Sequence, residues 1–311
     1  MATIQLSAGP VEYDDHGDGP PVVLLHGLHM DGGLWRRVVP RLEGHRRLVP
    51  TLPLGAHRTP MGDGADLTPR GVARLVGEFL DRLGLDDVTL VGSDTGGALA
   101  QLLLAEAAAH PATPGAGRVG RLVLVSCEAF GNFPPGLPGR VSAAAARLPG
   151  GLALAAQSMR LPLAARLPIT WGWMARRPVP RDLLDDWFRP LRSSRGVRRD
   201  LAAFVRAIPD ADLTAAAAHL AAFRGPALVV WAGDDRVMPP AHARRLAACF
   251  ADGRYVTVAD SYTLVPLDQP AVLARHIAGF ARAAGGPPTG RRVRISDLGA
   301  FLPDGGTSVC A

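Results

Sequence analysis

The sequence predicts an α/β fold, with a mostly parallel central sheet, helices on both faces and an inserted helical cap. Three observations carry this expectation. Continuous apolar runs such as Val22-Val23-Leu24-Leu25 and the stretch from Arg121 to Ser126 have the length of strands buried on both faces. These runs alternate with longer segments of helical spacing, which is the rhythm of a parallel sheet wrapped by helices. Between about 131 and 211 the rhythm stops, and prolines, arginines and short helical pieces take over.

The elements follow in order. Ile4 to Leu6 and Val11 to Tyr13 read as short strands joined by the turn Ala8-Gly9-Pro10. A loop rich in glycine and proline leads to the apolar strand ending at His26-Gly27-Leu28. Leu34 to Val39 starts an amphipathic helix, and Arg46 to Leu52 is the next strand. Thr68-Pro69 combines a capping hydroxyl with proline at the first helical position. It opens a helix with Val72, Leu75, Val76, Phe79, Leu80 and Leu83 at helical spacing, and Gly84 ends it. Val88 to Val91 is a strand that runs into Gly92-Ser93-Asp94-Thr95-Gly96-Gly97 and then into an alanine- and leucine-rich helix. After the strand at 121–126 comes the cap. The alternation then resumes with strands at 227–231 and 255–258 and helices at 239–250 and 269–284. The chain thus divides into a core (1–130 and 212–285), a helical cap (131–211) and a loosely held tail (286–311).

Composition narrows the function. The 311 residues are 48% apolar, enough for a sizeable core, and no run is long enough to span a bilayer. The net charge of +6 comes from 34 arginines with no lysine, and these read as scattered among acids rather than gathered in a stripe. A nucleic-acid footprint needs such a stripe, so nucleic acid and membrane are not expected partners. The three cysteines, 127, 249 and 310, lack metal-ligand spacing. Neither metal nor cofactor is expected. The N-terminus has no basic region followed by an apolar core, so a cytoplasmic protein, monomeric or homodimeric, is the expectation.

Chemistry concentrates at Asp94. A strand, a tight turn with small flanks and a helix form the context of a nucleophile elbow, whose apex residue is forced out above the strand end. Gly92 and Gly96 are the small flanks, and Asp94 is the apex. The competing reading is a helix cap. His26, His57, Glu128 and Asp235 also follow strands, and ligands gather at that edge of an α/β sheet. His26 reads as a loop brace and His29 as a substrate contact. Asp235 could cap the following helix and Glu128 could pair with an arginine. Tryptophans 171, 173 and 187 fall in the cap, with Trp187 a candidate pocket residue.

Over about residues 1–285 the chain resembles the α/β-hydrolase superfamily. The carriers are His26-Gly27, the elbow, Trp231-Ala232-Gly233-Asp234-Asp235-Arg236-Val237-Met238-Pro239 and Asp268-Gln269-Pro270. Aspartate at the apex resembles the branch of epoxide hydrolases and haloalkane dehalogenases. The resemblance implies the α/β-hydrolase fold and an Asp94 carboxylate that attacks carbon to form an ester. It also implies a histidine, oriented by an acid, that activates water to break that ester. A carboxylate is a nucleophile without prior deprotonation by a base. The amides of Leu28 and Thr95 are implied as the oxyanion site. Asp235 matches the family's acid and Glu128 an alternative acid position. The place of the histidine falls at Thr263, or at Tyr262 with a one-residue slip, and the segment 259–266 contains none. Thr95 also replaces the halide-binding tryptophan of many dehalogenases.

Three readings follow from the missing histidine. His57 serves as a replacement base, or Asp94 is itself a general base in a lyase, dehydratase or cyclase, or the fold is a non-catalytic small-molecule receptor. The leading expectation is an epoxide hydrolase-like enzyme for an apolar, aromatic or polycyclic substrate. Asp94 is its nucleophile, Asp235 or Glu128 supports the site, and Tyr262 is a candidate donor to the epoxide oxygen.

Overall fold

The structure, a computed structural model, describes residues 1–282 and 291–292. Among the described residues, nine strands form one sheet: β1 (Ala2–Leu6), β2 (Gly9–His16), β3 (Pro21–Leu25), β4 (Arg46–Pro50), β5 (Val88–Ser93), β6 (Val119–Val125), β7 (Ala227–Ala232), β8 (Gly253–Val258) and β9 (Arg291–Arg292). Their spatial order is β1-β2-β4-β3-β5-β6-β7-β8-β9. The pairs from β4 through β8 are parallel, whereas β1, β2 and β9 join antiparallel at the edges. The remainder of the tail 286–311 lies outside the described residues.

The central strands explain this topology. β5 is buried along its whole length, and β3 and β6 are apolar on both faces, so helices must cover both sides. The helices are α1 (Pro69–Arg82), α2 (Thr95–Ala109), α3 (Gly136–Arg147), α4 (Gly151–Ser158), α5 (Arg181–Ser193), α6 (Arg195–Arg206), α7 (Leu213–His219), α8 (Ala241–Ala248), α9 (Val265–Asp268) and α10 (Pro270–Arg282). Thr68 caps α1 as the sequence predicts, its side chain accepting from the Gly71 N–H. Helices α3 to α6 lie between β6 and β7, where the strand rhythm stops.

One expected helix is absent. Gly32–Trp35 and Val39–Arg41 are single 3₁₀ turns rather than one amphipathic α-helix. Pro40 supplies no N–H and disfavours helical backbone at the residue before it, so the apolar spacing around Leu34 cannot propagate.

Candidate active site

Asp94 stands between β5 and α2 with φ 53° and ψ −133°, a backbone conformation that non-glycine residues rarely adopt. The turn is closed by contacts that tolerate no side chain. A Cβ on Gly92 would come 2.5 Å from the Gly96 carbonyl oxygen, and one on Gly27 would come 2.1 Å from Asp94 Oδ2. The Asp94 side chain makes no helix-capping hydrogen bond, so the cap reading of this residue is not realised.

The carboxylate is almost fully buried. Burial pushes its pKa up to about 7, helped by the nearby Asp235 charge and opposed by hydrogen bonds from the Thr95 and Leu28 backbone N–H groups. Oδ1 has no partner. Oδ2 packs closely against Gly27, and Oδ1 is the free oxygen. The Thr95 and Leu28 amides are those that the sequence assigns to an oxyanion site.

Glu128 follows β6 and is fully buried. Its Oε1 accepts a 2.9 Å hydrogen bond from Thr95 Oγ1, and Oε2 has no partner. Burial, and then the charge of Asp94, raises its pKa well above the usual carboxylate range. Its main chain is pinned by Gln101 Nε2, which donates to the Glu128 carbonyl at 2.8 Å. Thr95 therefore holds both carboxylates, Asp94 through its amide and Glu128 through its hydroxyl.

Asp235 lies in the turn after β7. Its Oδ1 accepts from Val237 N (3.0 Å), Met238 N (2.9 Å) and Thr263 Oγ1 (2.7 Å). Burial raises its pKa against those hydrogen bonds. The residue at the expected place of the histidine thus touches the expected acid, but it is a hydroxyl with no basic nitrogen.

A cavity opens above Asp94, Thr95 and Glu128. Its walls come from the segment 133–208, with Phe133, Leu152, Met159 and Trp171 among them. The titratable side chains among its lining are His29, Asp94 and Glu128, and no arginine joins them. His29 Nε2 lies 2.8 Å from Ser142 Oγ in α3, and its ring stacks on Phe188 at 5.6 Å. Burial lowers its pKa to about 4, so at pH 7 it is neutral.

Other expected site residues have different occupations. His57 is buried but not among the lining residues. Its Nδ1 accepts from Gly55 N (3.3 Å), and its Nε2 faces Asp200 Oδ2 in α6 (3.2 Å). Both nitrogens are engaged, so the expectation of a replacement base at His57 gives way to a link between the loop after β4 and α6. Tyr262 also lies outside the lining, its ring beneath Arg236 at 4.8 Å and Arg176 at 5.8 Å, which corrects its expected role as donor. Trp187 is fully buried and donates to Asp31 Oδ1 at 2.9 Å; the tryptophan that lines the cavity is Trp171. His26 braces its turn as expected, with Nδ1 2.8 Å from the Gly27 carbonyl oxygen and Nε2 accepting from Leu52 N at 2.9 Å. The links His57–Asp200 and His29–Ser142 had no signal in sequence, because their partners lie 143 and 113 residues away in α6 and α3.

Residues 20–270 match the model of the α/β hydrolase fold family. The chain belongs to the α/β-hydrolase fold family. Within this family it resembles haloalkane dehalogenase 2 of Mycobacterium tuberculosis, with 36% identity over 104 residues covering 33% of this chain and 36% of that protein. It also resembles 2-hydroxy-6-oxo-2,4-heptadienoate hydrolase of Pseudomonas putida, with 40% identity over 124 residues covering 38% and 42%. The matched stretch spans about a third of the length of the first of these relatives. A crystal structure titled as a putative ancestral haloalkane dehalogenase superposes with a TM-score of 0.69 at 22% identity, covering 90% of this chain and 98% of that one. An esterase from Thermogutta terrifontis superposes with 0.68 at 20% identity, covering 89% and 97%. These structures share the α/β-hydrolase fold.

Proposed function

We propose that the protein is an epoxide hydrolase-like enzyme for an apolar small molecule, in which Asp94 is the nucleophile and Glu128 replaces the missing histidine. The observation that supports this is the double role of Thr95, which holds two buried carboxyl groups beside one cavity, each with one oxygen free. Asp94 receives two amide donors and Glu128 one hydroxyl, so the shared negative charge rests on Asp94 and the proton on Glu128.

From that state the cycle closes without a histidine. Asp94 Oδ1 attacks an epoxide carbon, and the carbon–oxygen bond breaks as Glu128 protonates the departing oxygen. Glu128 is now a carboxylate and draws a proton from water as the water adds to the ester carbon of Asp94. The Leu28 and Thr95 amides hold the resulting oxyanion. Collapse expels the diol oxygen, which takes the proton back from Glu128. The carboxyl proton left on Asp94 passes to Glu128 and restores the starting state. One carboxyl group acting first as acid and then as base is the logic of retaining glycosidases. The lining holds no permanent charge apart from this pair, which favours a neutral substrate.

A second reading draws support from the Asp94 pKa of about 7, which suits a general base for elimination or cyclisation without a covalent step. A single turnover in ¹⁸O-water separates the two. The covalent cycle puts label on the Asp94 carboxyl, detected by mass spectrometry of the peptide. Turnover that leaves Asp94 unlabelled would reject the nucleophile and retain the base. Asp94→Asn lowers turnover by roughly 10³-fold or more with folding intact; a fully active variant would sink both readings.

A further inference from the structure

We propose that the outer face of the cap docks on an anionic lipid surface, so that the apolar substrate enters the cavity from the membrane side. This rests on the surface of the cap and not on the chemistry assigned to Asp94.

Apart from Met1, every large hydrophobic side chain that is exposed among the described residues lies between Leu137 and Ile169. Leu148, Leu154, Leu161 and Leu163 are 63%, 74%, 62% and 75% exposed. Clustered apolar exposure of this kind marks an interaction site. Charge is concentrated in the same stretch. Between Glu128 and Asp182 the sequence holds seven arginines and no acid, which leaves the rest of the chain close to neutral. The expectation of arginines scattered among acids therefore fails for this segment. Arg176, Arg177 and Arg181 pair with Asp234, Asp260 and Asp185. Arg140, Arg147, Arg160 and Arg166 take part in no ion pair among the described residues and are exposed.

Exposed leucines and unpaired arginines carried by one acid-free segment fit the interface of an anionic bilayer, where apolar side chains enter the headgroup boundary and cations meet lipid phosphates. A second copy of the chain docking through the same face would set arginine against arginine, a repulsive arrangement in a two-fold interface. A nucleic acid would use the arginines, yet the exposed apolar residues include no aromatic ring on which a base could stack. No helix among the described residues is long and apolar enough to cross a membrane, so the contact is peripheral. Val141 and Ile169 are at once exposed members of this set and lining residues of the cavity. Two members of the exposed apolar set thus stand at the pocket itself.

Flotation of the full chain with vesicles tests this. Vesicles of phosphatidylglycerol and phosphatidylcholine should carry the protein upward, with partitioning about tenfold or more weaker on pure phosphatidylcholine or in high salt. The double variants Leu154→Asp/Leu163→Asp and Arg160→Ser/Arg166→Ser should each lose flotation. Their melting temperature and circular dichroism should match those of the parent, because all four side chains are exposed. Three results would overturn the proposal: a parent chain that stays in the soluble fraction at every lipid composition; leucine variants that still float; or a parent that ignores vesicles but binds RNA or self-associates through the same residues.

Discussion

At the scale of single residues the site is governed by where protons rest. Asp94 and Glu128 are both shifted upward by burial, and each raises the other or is raised by a neighbouring acid. The proposed cycle needs Asp94 ionised and Glu128 protonated. Activity should therefore rise with pH as Asp94 ionises near 7 and fall again once Glu128 loses its proton, giving a bell-shaped profile of kcat/KM. Glu128→Gln keeps size and polarity but can neither give nor take a proton. We expect turnover to fall by roughly 10²–10⁴-fold and the alkaline limb of the profile to vanish. A Glu128→Gln enzyme with the parent's rate and both limbs would exclude Glu128 as the acid and base. The sequence displayed both carboxylates, since an elbow apex and a residue directly after a core strand are visible as patterns. That one threonine hydrogen-bonds to both is a fact of side-chain direction that no spacing rule contains.

At the scale of elements, legibility follows how far apart the partners lie. β5, the elbow and α2 were readable because strand, glycine-flanked turn and helix are consecutive. The 3₁₀ turns around Leu34 were misread because spacing outweighed Pro40. The contact of α6 with the loop after β4 was invisible. Asp200 in α6 is fully buried and accepts from His57 and from the Met61 N–H at 2.7 Å, with Arg199 alongside at 3.0 Å. Burial alone would raise its pKa, but these donors hold it below the usual value. The stability it contributes is fully present above the unfolded carboxylate pKa and is lost as pH falls from there through the lower folded pKa. Asp200→Ala leaves a buried imidazole and a buried amide without their partner, and should destabilise the fold by about 3 kcal/mol at pH 7. Denaturant melts would show the loss, and a change below about 0.5 kcal/mol would remove this link from the account. His57→Ala should likewise weaken the attachment of α6 while leaving ester breakdown at the parent's rate, measured by the lifetime of the alkyl-enzyme.

At the scale of the whole molecule the fold bears the cost of the site. A carboxyl group whose pKa rises from 3.8 unfolded to about 7 folded binds its proton more tightly in the native state. Its sign is opposite to that of Asp200. Asp94 disturbs nothing below pH 4, where it is protonated in both states, and becomes progressively destabilising as pH climbs from about 4 to 7. At 1.36 kcal/mol per unit the penalty reaches up to about 4 kcal/mol at neutral pH. That is a large share of the 5–15 kcal/mol by which proteins generally hold their native state. The surrounding sheet can sustain it because its central strands are mostly apolar and largely buried. Asp94→Asn keeps the shape of the side chain and removes the charge. The variant and the parent should therefore unfold at the same denaturant concentration at pH 4, and the variant should be the more stable at pH 8, by a margin that grows between the two. Equal stability of both proteins across that range would mean that Asp94 is solvated in the native state, and the proposed nucleophile would lose the dry setting on which its chemistry depends.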